Sequence, residues 1–257
     1  MKTAVLFAAA ALGVSAVALA TPQPDSVKFN TRLFNDNPSS VLTTTSSYPT
    51  SVTITDTTLQ EGNANRHNWL FSTDGGATNA LFANSDSFDF FTDITITGDG
   101  NGEAGINIMP WWDNAYGGVF NLRTNDGEVA VFSGRLPFYS FTANHGVNYV
   151  KGTTVRIGVE YFSANLDAEQ PGRIRYHYGA FSSPWINFDQ ANPAEAIPHG
   201  LWGILNGARV GGHVQAQGGF PGQNGLSVTW GNIYFVPAPG AAGLLGVAGL
   251  VAMRRRR

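Results

Sequence analysis

Between about residue 25 and residue 236 the chain has no stretch of apolar positions at helical spacing. Its apolar residues come in short alternating runs broken by Gly, Asn, Asp and Pro, at 51–55, 90–97, 105–109, 119–123, 128–132, 136–141, 153–162, 173–178, 200–205, 209–215 and 226–235. Three of these runs alternate cleanly. Val155, Ile157, Val159 and Tyr161 oppose Arg156, Gly158 and Glu160, while Ile174, Tyr176 and Tyr178 oppose Arg173, Arg175 and His177. Val210, Gly212 and Val214 likewise oppose Arg209, Gly211, His213 and Gln215. The pattern predicts an all-β, antiparallel β-sandwich over residues 21–236, and the absence of an internal repeat favours one jelly roll over two tandem domains. If the three runs share a sheet, their polar sides form the floor of an open groove.

The two ends follow a different plan. Lys2, an apolar run over residues 4–14 and the close Ala18-Leu19-Ala20 have the three parts of a secretory signal peptide, residues 1–20, with Thr21 as the mature start. At the other end Val236, Pro237, Ala238 and Pro239 precede an uncharged segment rich in Ala, Gly and Leu, and the chain stops at Arg254, Arg255, Arg256 and Arg257. The prolines break any helix before it starts, so residues 237–257 read as a short apolar transmembrane helix with an arginine tail on the cytoplasmic side.

This order of prolines, apolar helix and arginines in an exported chain resembles the PEP-CTERM sorting signal, with Ala238 where that family usually has Glu. The resemblance implies an exosortase-like transpeptidase as partner. It also implies transient residence in the inner membrane, then release to the cell surface, the extracellular space or its polysaccharide. The Gly-rich many-stranded body resembles at fold level the concanavalin-like lectin and laminin-G jelly rolls.

Charge changes the picture once the ends are set aside. The whole chain carries -3, but Lys2 and the four terminal arginines account for 5 of its 15 basic residues, leaving 10 against 18 acidic and a body of -8. Such a domain has no electrostatic footprint for nucleic acid. There is no cysteine, which removes disulfides, thiol nucleophiles and cysteine zinc sites.

Candidate chemistry is sparse. The six glutamates are scattered, and none begins the clustered acid motif of a jelly-roll glucanase. Glu160 is the only one central to a strong strand, where Arg156 on the same face is its expected ion-pair partner. Asp99, Asn101 and Glu103 place oxygen ligands at alternate positions of a Gly-rich turn, a calcium candidate that competes with a plain hairpin turn. His177 and His213 are expected on one polar sheet face, with no third ligand for a metal. Trp112, in a Trp-Trp pair that alternation splits between two faces, is the best candidate for stacking on a sugar ring.

These features predict a non-catalytic exported β-sandwich without cofactor, binding extracellular polysaccharide through Trp112, Arg156, Glu160, Arg175, His177 and His213. A jelly-roll glycan-degrading enzyme and a purely structural adhesion protein are the alternatives.

Overall fold

The computed structural model describes residues 21–109, 117–133, 136–163, 172–187, 207–219 and 225–237. The predicted signal peptide, residues 238–257, Trp112 and the run at 200–205 lie outside them. Among the described residues no helix is long and apolar enough to cross a membrane.

Two antiparallel sheets face each other, as alternation predicts. Sheet A has the order β1 (Ser26–Asn35), β4 (Ala64–Ser72), β14 (Arg209–Gln217), β6 (Asn101–Met109), β7 (Gly118–Arg123), β8 (Val129–Phe132), β9 (Tyr139–Ser140). Sheet B has the order β12 (Phe181–Ser182), β11 (Arg173–Tyr178), β10 (Thr154–Phe162), β5 (Phe88–Thr97), β15 (Leu226–Pro237), β3 (Ser51–Thr57), β2 (Val41–Ser47), and β13 (Ile186–Asn187) also pairs with β11. The chain changes sheet repeatedly. Its last two strands enter the middle of each sheet, β14 between β4 and β6, and β15 between β5 and β3.

The inward faces make one core. Trp69 of β4 meets Trp230 of β15 edge to face at 5.9 Å, and Phe71 meets Phe90 at 4.9 Å. Both indoles crowd onto Gly212 of β14, where an added Cβ would lie 2.3 Å from Trp69 Nε1. The Trp230 indole N–H donates to the Gly105 carbonyl at 3.1 Å, so its one polar atom is satisfied inside the core.

Several strands differ from expectation. β1, β2 and β4 lie outside the predicted runs. β2 is all polar after Val41-Leu42, and β4 begins Ala64-Asn65-Arg66-His67-Asn68, where polar residues point to both faces and alternation vanishes. The run at 136–141 yields only β9, then a single turn of helix, α1 (Phe141–His145). The Ser140 hydroxyl accepts from Ala143 N at 3.0 Å, and Gly146 ends the turn in the left-handed region at φ 66.

β15 is kinked by a bulge after Gly231, with Asn232 at φ 46. Beyond it the strand pairs with β5 alone, up to Pro237 opposite Phe88, so the proline interrupts no second ladder.

Candidate functional site

The three alternating runs do not share a sheet. β10 and β11 lie in sheet B and β14 lies in sheet A, so His213 is on the opposite side of the sandwich from Arg156, Glu160, Arg175 and His177. The expected single groove is therefore two separate faces.

On sheet B, Glu160 stands opposite Arg175 on one side and Asp89 on the other. It pairs with Arg175 at 2.5 Å, not with Arg156, and lies 3.2 Å from His177 Nε2. Arg156 reaches instead to Asp93 at 3.2 Å and donates to the Asn232 carbonyl at 2.9 Å. The cause is cross-strand pairing: a directly opposite neighbour is nearer than a residue two pleats along the same strand. His177 Nδ1 also meets the Ser182 hydroxyl at 2.8 Å.

No groove floor remains between these pairs. The Phe91 ring fills the place where Gly158 has no side chain, 2.1 Å from an added Cβ, and reaches the His177 ring at 5.1 Å. Arg175 stacks on the half-exposed Trp185 at 4.8 Å. Burial raises the Asp89 carboxyl above its usual range, and the neighbouring Glu160 adds to the effect.

The calcium candidate resolves differently. Residues between β5 and β6 cross from sheet B to sheet A, so the turn is an inter-sheet corner and not a hairpin. Gly98 adopts φ 108 with Gly225 O only 2.4 Å from an added Cβ, and Lys151 Nζ donates to the Gly100 carbonyl at 2.9 Å. Among the described residues no group of three or more acidic or histidine side chains is placed to hold a metal. Glu103 turns away from the corner and accepts from Asn121 Nδ2.

Sheet A's outward face is the unusual one. Outward side chains of a sandwich are normally solvated, yet Arg66, Asn68, Asn107, Asn121 and His213 are all buried. Register sets them in rows across β4, β14, β6 and β7. Asn68 faces His213, which faces Gly105, which faces Asn121; one row along, Arg66 faces Gln215, Glu103 and Arg123 in turn.

A hydrogen-bonded chain fixes one end of the cluster. Arg66 Nε donates to Asn68 Oδ1 at 3.3 Å, Asn68 Nδ2 donates to Asn107 Oδ1 at 2.8 Å, and Asn107 Nδ2 donates to the Gly118 carbonyl at 3.0 Å.

The other end is unsatisfied. Both His213 ring nitrogens and Asn121 Oδ1 are buried without a hydrogen-bond partner. Desolvation drives the His213 pKa well below its usual range and the Arg66 charge pushes it the same way, while the nearby Phe120 backbone carbonyl opposes them weakly. His213 is therefore held as a neutral imidazole. Beside the cluster a cavity of about 300 Å³ is lined by Gly102, Glu103, Arg123, Asn125, Phe132 and Gln217.

Of the predicted site residues only His213 and Glu103 belong here. Arg66, Asn68, Asn107 and Asn121 were not among them. Their signal in sequence is weak, a polar Asn-Arg-His-Asn opening to a strand that ends Trp-Leu-Phe.

A second buried polar cluster lies under β3 and β4. His67 Nε2 meets Asp56 Oδ2 at 2.8 Å, and Asn65 Nδ2 donates to the same oxygen at 2.9 Å. His67 Nδ1 accepts from Arg32 N at 3.0 Å, which places the ring proton on Nε2. Burial opposes the Asp56 charge, but bonds from His67, Ser40 and Asn65 outweigh it and hold the carboxyl below its usual range. Both His67 ring nitrogens are used, so this cluster ties β1 and β3 to β4, although Asp56 Oδ1 is buried without a hydrogen-bond partner.

No family model and no curated protein matches the chain. Among solved structures it is similar to the alginate lyase from Corynebacterium sp., at 11% identity and TM-score 0.46 over 75% of this chain and 79% of that one. It is also similar to an alginate lyase from Alteromonas sp. 272, at 10% identity and TM-score 0.39 over 83% and 95%. A third is the Lotus tetragonolobus seed lectin, at 10% identity and TM-score 0.37 over 86% and 97%. The expectation of a non-catalytic body is corrected to this extent: alginate lyases stand among the matched structures.

Proposed function

We propose that the body is a glycan-degrading enzyme that cleaves a carboxylate-bearing polysaccharide by elimination on the outward face of sheet A. The observation that carries this reading is His213, buried and held neutral beside Arg66, with neither ring nitrogen in a well-formed hydrogen bond and only the Phe120 carbonyl close to it. A buried imidazole kept in that state costs stability, which makes it a candidate working group.

The chemistry follows from the residues. The cavity beside Glu103, Arg123 and Gln217 gives the polymer its foothold, and His213 lies one row further along the sheet. The positive potential of Arg66 and Arg123 along this row favours a sugar carboxylate, and a carboxylate so placed makes the neighbouring C–H more acidic. His213 takes that proton, the electron pair becomes a C=C bond, and the glycosidic C–O bond breaks. The imidazolium returns its proton to the leaving oxygen, so the step balances without a further reactant.

Hydrolysis fits this face less well, because its described carboxylates are engaged, Glu103 with Asn121 and Glu128 and Asp126 with Arg123, and a glycosidase needs a working pair. The fixed amides of Asn68 and Asn121 orient the sugar. The test is incubation of the protein with uronate-containing and neutral polysaccharides, following ultraviolet absorbance of unsaturated ends alongside reducing ends. Both signals should rise together on the uronate polymer and vanish in His213→Leu. Reducing ends without unsaturation would instead indicate hydrolysis, for which the opposed Asp89 and Glu160 of sheet B are the available pair.

We also propose export and exosortase-type sorting, supported by Lys2, the apolar run behind it, the two prolines at 237 and 239 and the terminal arginines. Pulse-chase of the chain with Arg254, Arg255, Arg256 and Arg257 changed to Gln should show loss of C-terminal processing; unchanged processing overturns it.

A further inference from the structure

The two sheets present four edges, and three are blunted against further pairing. β1 carries Lys28, Arg32 and a register break between Asn30 and Phe34. β9 has two residues, and the opposite end of sheet B is closed by β12 and β13, of two residues each. These are the devices by which sheets avoid pairing with one another.

β2 has none of them. Val41–Ser47 is seven residues long, with no charge, no proline, no glycine and no bulge against β3. Among the described residues nothing pairs with its other side. We propose that this edge is a self-association surface, pairing antiparallel with β2 of a second copy about a two-fold axis through Thr44.

Backbone polarity and side-chain pattern select that register. Val41 N donates to Thr58 Oγ1, and the Ser47 carbonyl accepts from Thr50 N at 2.8 Å, so these groups turn toward β3. Alternation then directs the N–H and C=O groups of Leu42, Thr44 and Ser46 outward. With Thr44 at the axis, Thr44 meets the partner's Thr44 and Leu42 meets the partner's Ser46, each exchanging both backbone bonds.

The outer surface agrees. Thr45, Thr53, Thr229, Thr95 and Thr154 stand directly opposite one another across β2, β3, β15, β5 and β10. Thr53 bonds Thr229 at 2.9 Å and Thr95 bonds Thr154 at 2.6 Å. A second row runs Thr43, Thr55, Ser227, Thr97. Pairing about Thr44 sets Thr45 against the partner's Thr43, so each row continues into the other row of the second copy, with no charge opposed. A seven-residue edge buries less than the roughly 1,200 Å² of a standard interface, so the pairing is weak and shows only at high protein concentration.

Sedimentation of the full-length chain should show an apparent mass rising with concentration toward twice 27.4 kDa. Thr44→Pro removes an outward N–H that β3 does not use, and should stay monomeric with its melting temperature within a few degrees of the parent. In a chain without cysteine, Thr44→Cys should cross-link to a covalent dimer on oxidation, and Thr55→Cys, one strand inward, should not. A parent chain monomeric at every concentration, an edge that pairs only with other proteins, association undiminished in Thr44→Pro, or no cross-link at Thr44→Cys each overturns the proposal.

Discussion

The outward faces of the two sheets carry the same kinds of residue and do opposite things with them. On sheet B, His177 Nδ1 bonds Ser182 and its Nε2 lies 3.2 Å from Glu160 without forming a hydrogen bond, while Arg156 pairs with Asp93 and Arg175 with Glu160, all with part of their surface in water. On sheet A, His213 has no exposed surface and no side-chain partner, with only the Phe120 backbone carbonyl near its ring, and Arg66 is buried beside it. Solvent makes the first arrangement cheap and interchangeable, since exposed ion pairs contribute about 0–1 kcal/mol each. Burial makes the second expensive, because an unmade hydrogen bond on a buried polar group costs about 1–3 kcal/mol. Residue type alone therefore does not locate a site; what locates it is a polar group kept where water cannot repay its desolvation.

The largest expected break in this contrast is catalytic. His213→Leu should lower elimination about 100- to 10,000-fold, the usual contribution of a positioned acid–base group, whereas His177→Ala should leave the rate within about twofold. Initial rates on a uronate polymer check both. Equal losses in the two variants would move the chemistry off sheet A.

Acid should also separate the faces. The folded pKa of His213 is depressed, so its neutral form contributes stability that is complete above the unfolded value near 6.5 and is lost as pH falls through that value toward the folded one. As pH falls below about 6.5 toward the folded value, unfolding free energy should fall with a slope from this residue that approaches at most about 1.4 kcal/mol per pH unit. Denaturant titrations at several pH values should show that slope in the parent and its loss in His213→Leu.

The same variant should be more stable at neutral pH, by about 1–2 kcal/mol, because an apolar side chain of similar size removes two unsatisfied nitrogens. A lower melting temperature would mean that His213 is satisfied in the folded protein, and the reading of the site would fall with it.

Alternation made much of the fold legible. The runs behind β5, β10, β11, β14 and β15 expose a period of two that only a half-buried strand produces. Alternation says which residues share a face of one strand, but not which strands share a sheet. That is why His177 and His213 were expected together: the chain crosses between sheets after β13 and again after β14, and no local pattern records a crossing.

The site was legible only through His213 and Glu103. Arg66, Asn68, Asn107 and Asn121 gain their meaning from burial on an outward face, a property of the assembled sandwich. β4 hides them further, because its polar residues point both ways: Asn65 and His67 inward to Asp56, Arg66 and Asn68 outward to the site. Polarity on both faces looks like a loop in one dimension.

The smallest effect expected is on sheet B, and its smallness is the informative part. Glu160→Gln removes the charge that meets Arg175 and crowds Asp89. Loss of the ion pair destabilises, while relief of the opposed carboxylate stabilises, and both act through partly solvated side chains. The net change should stay within about 0.5 kcal/mol and shrink further in added salt, which screens exposed charges beyond roughly 10 Å at 0.1 M. The one distinct signature is on Asp89, whose carboxyl should titrate at lower pH once the Glu160 charge is gone, short of the ordinary value because burial, the larger cause, remains. Side-chain NMR titration of Asp89 in parent and variant reads this directly. An unchanged Asp89 would leave desolvation as the whole cause, and would remove Asp89 and Glu160 as a coupled pair able to divide acid and base roles between them.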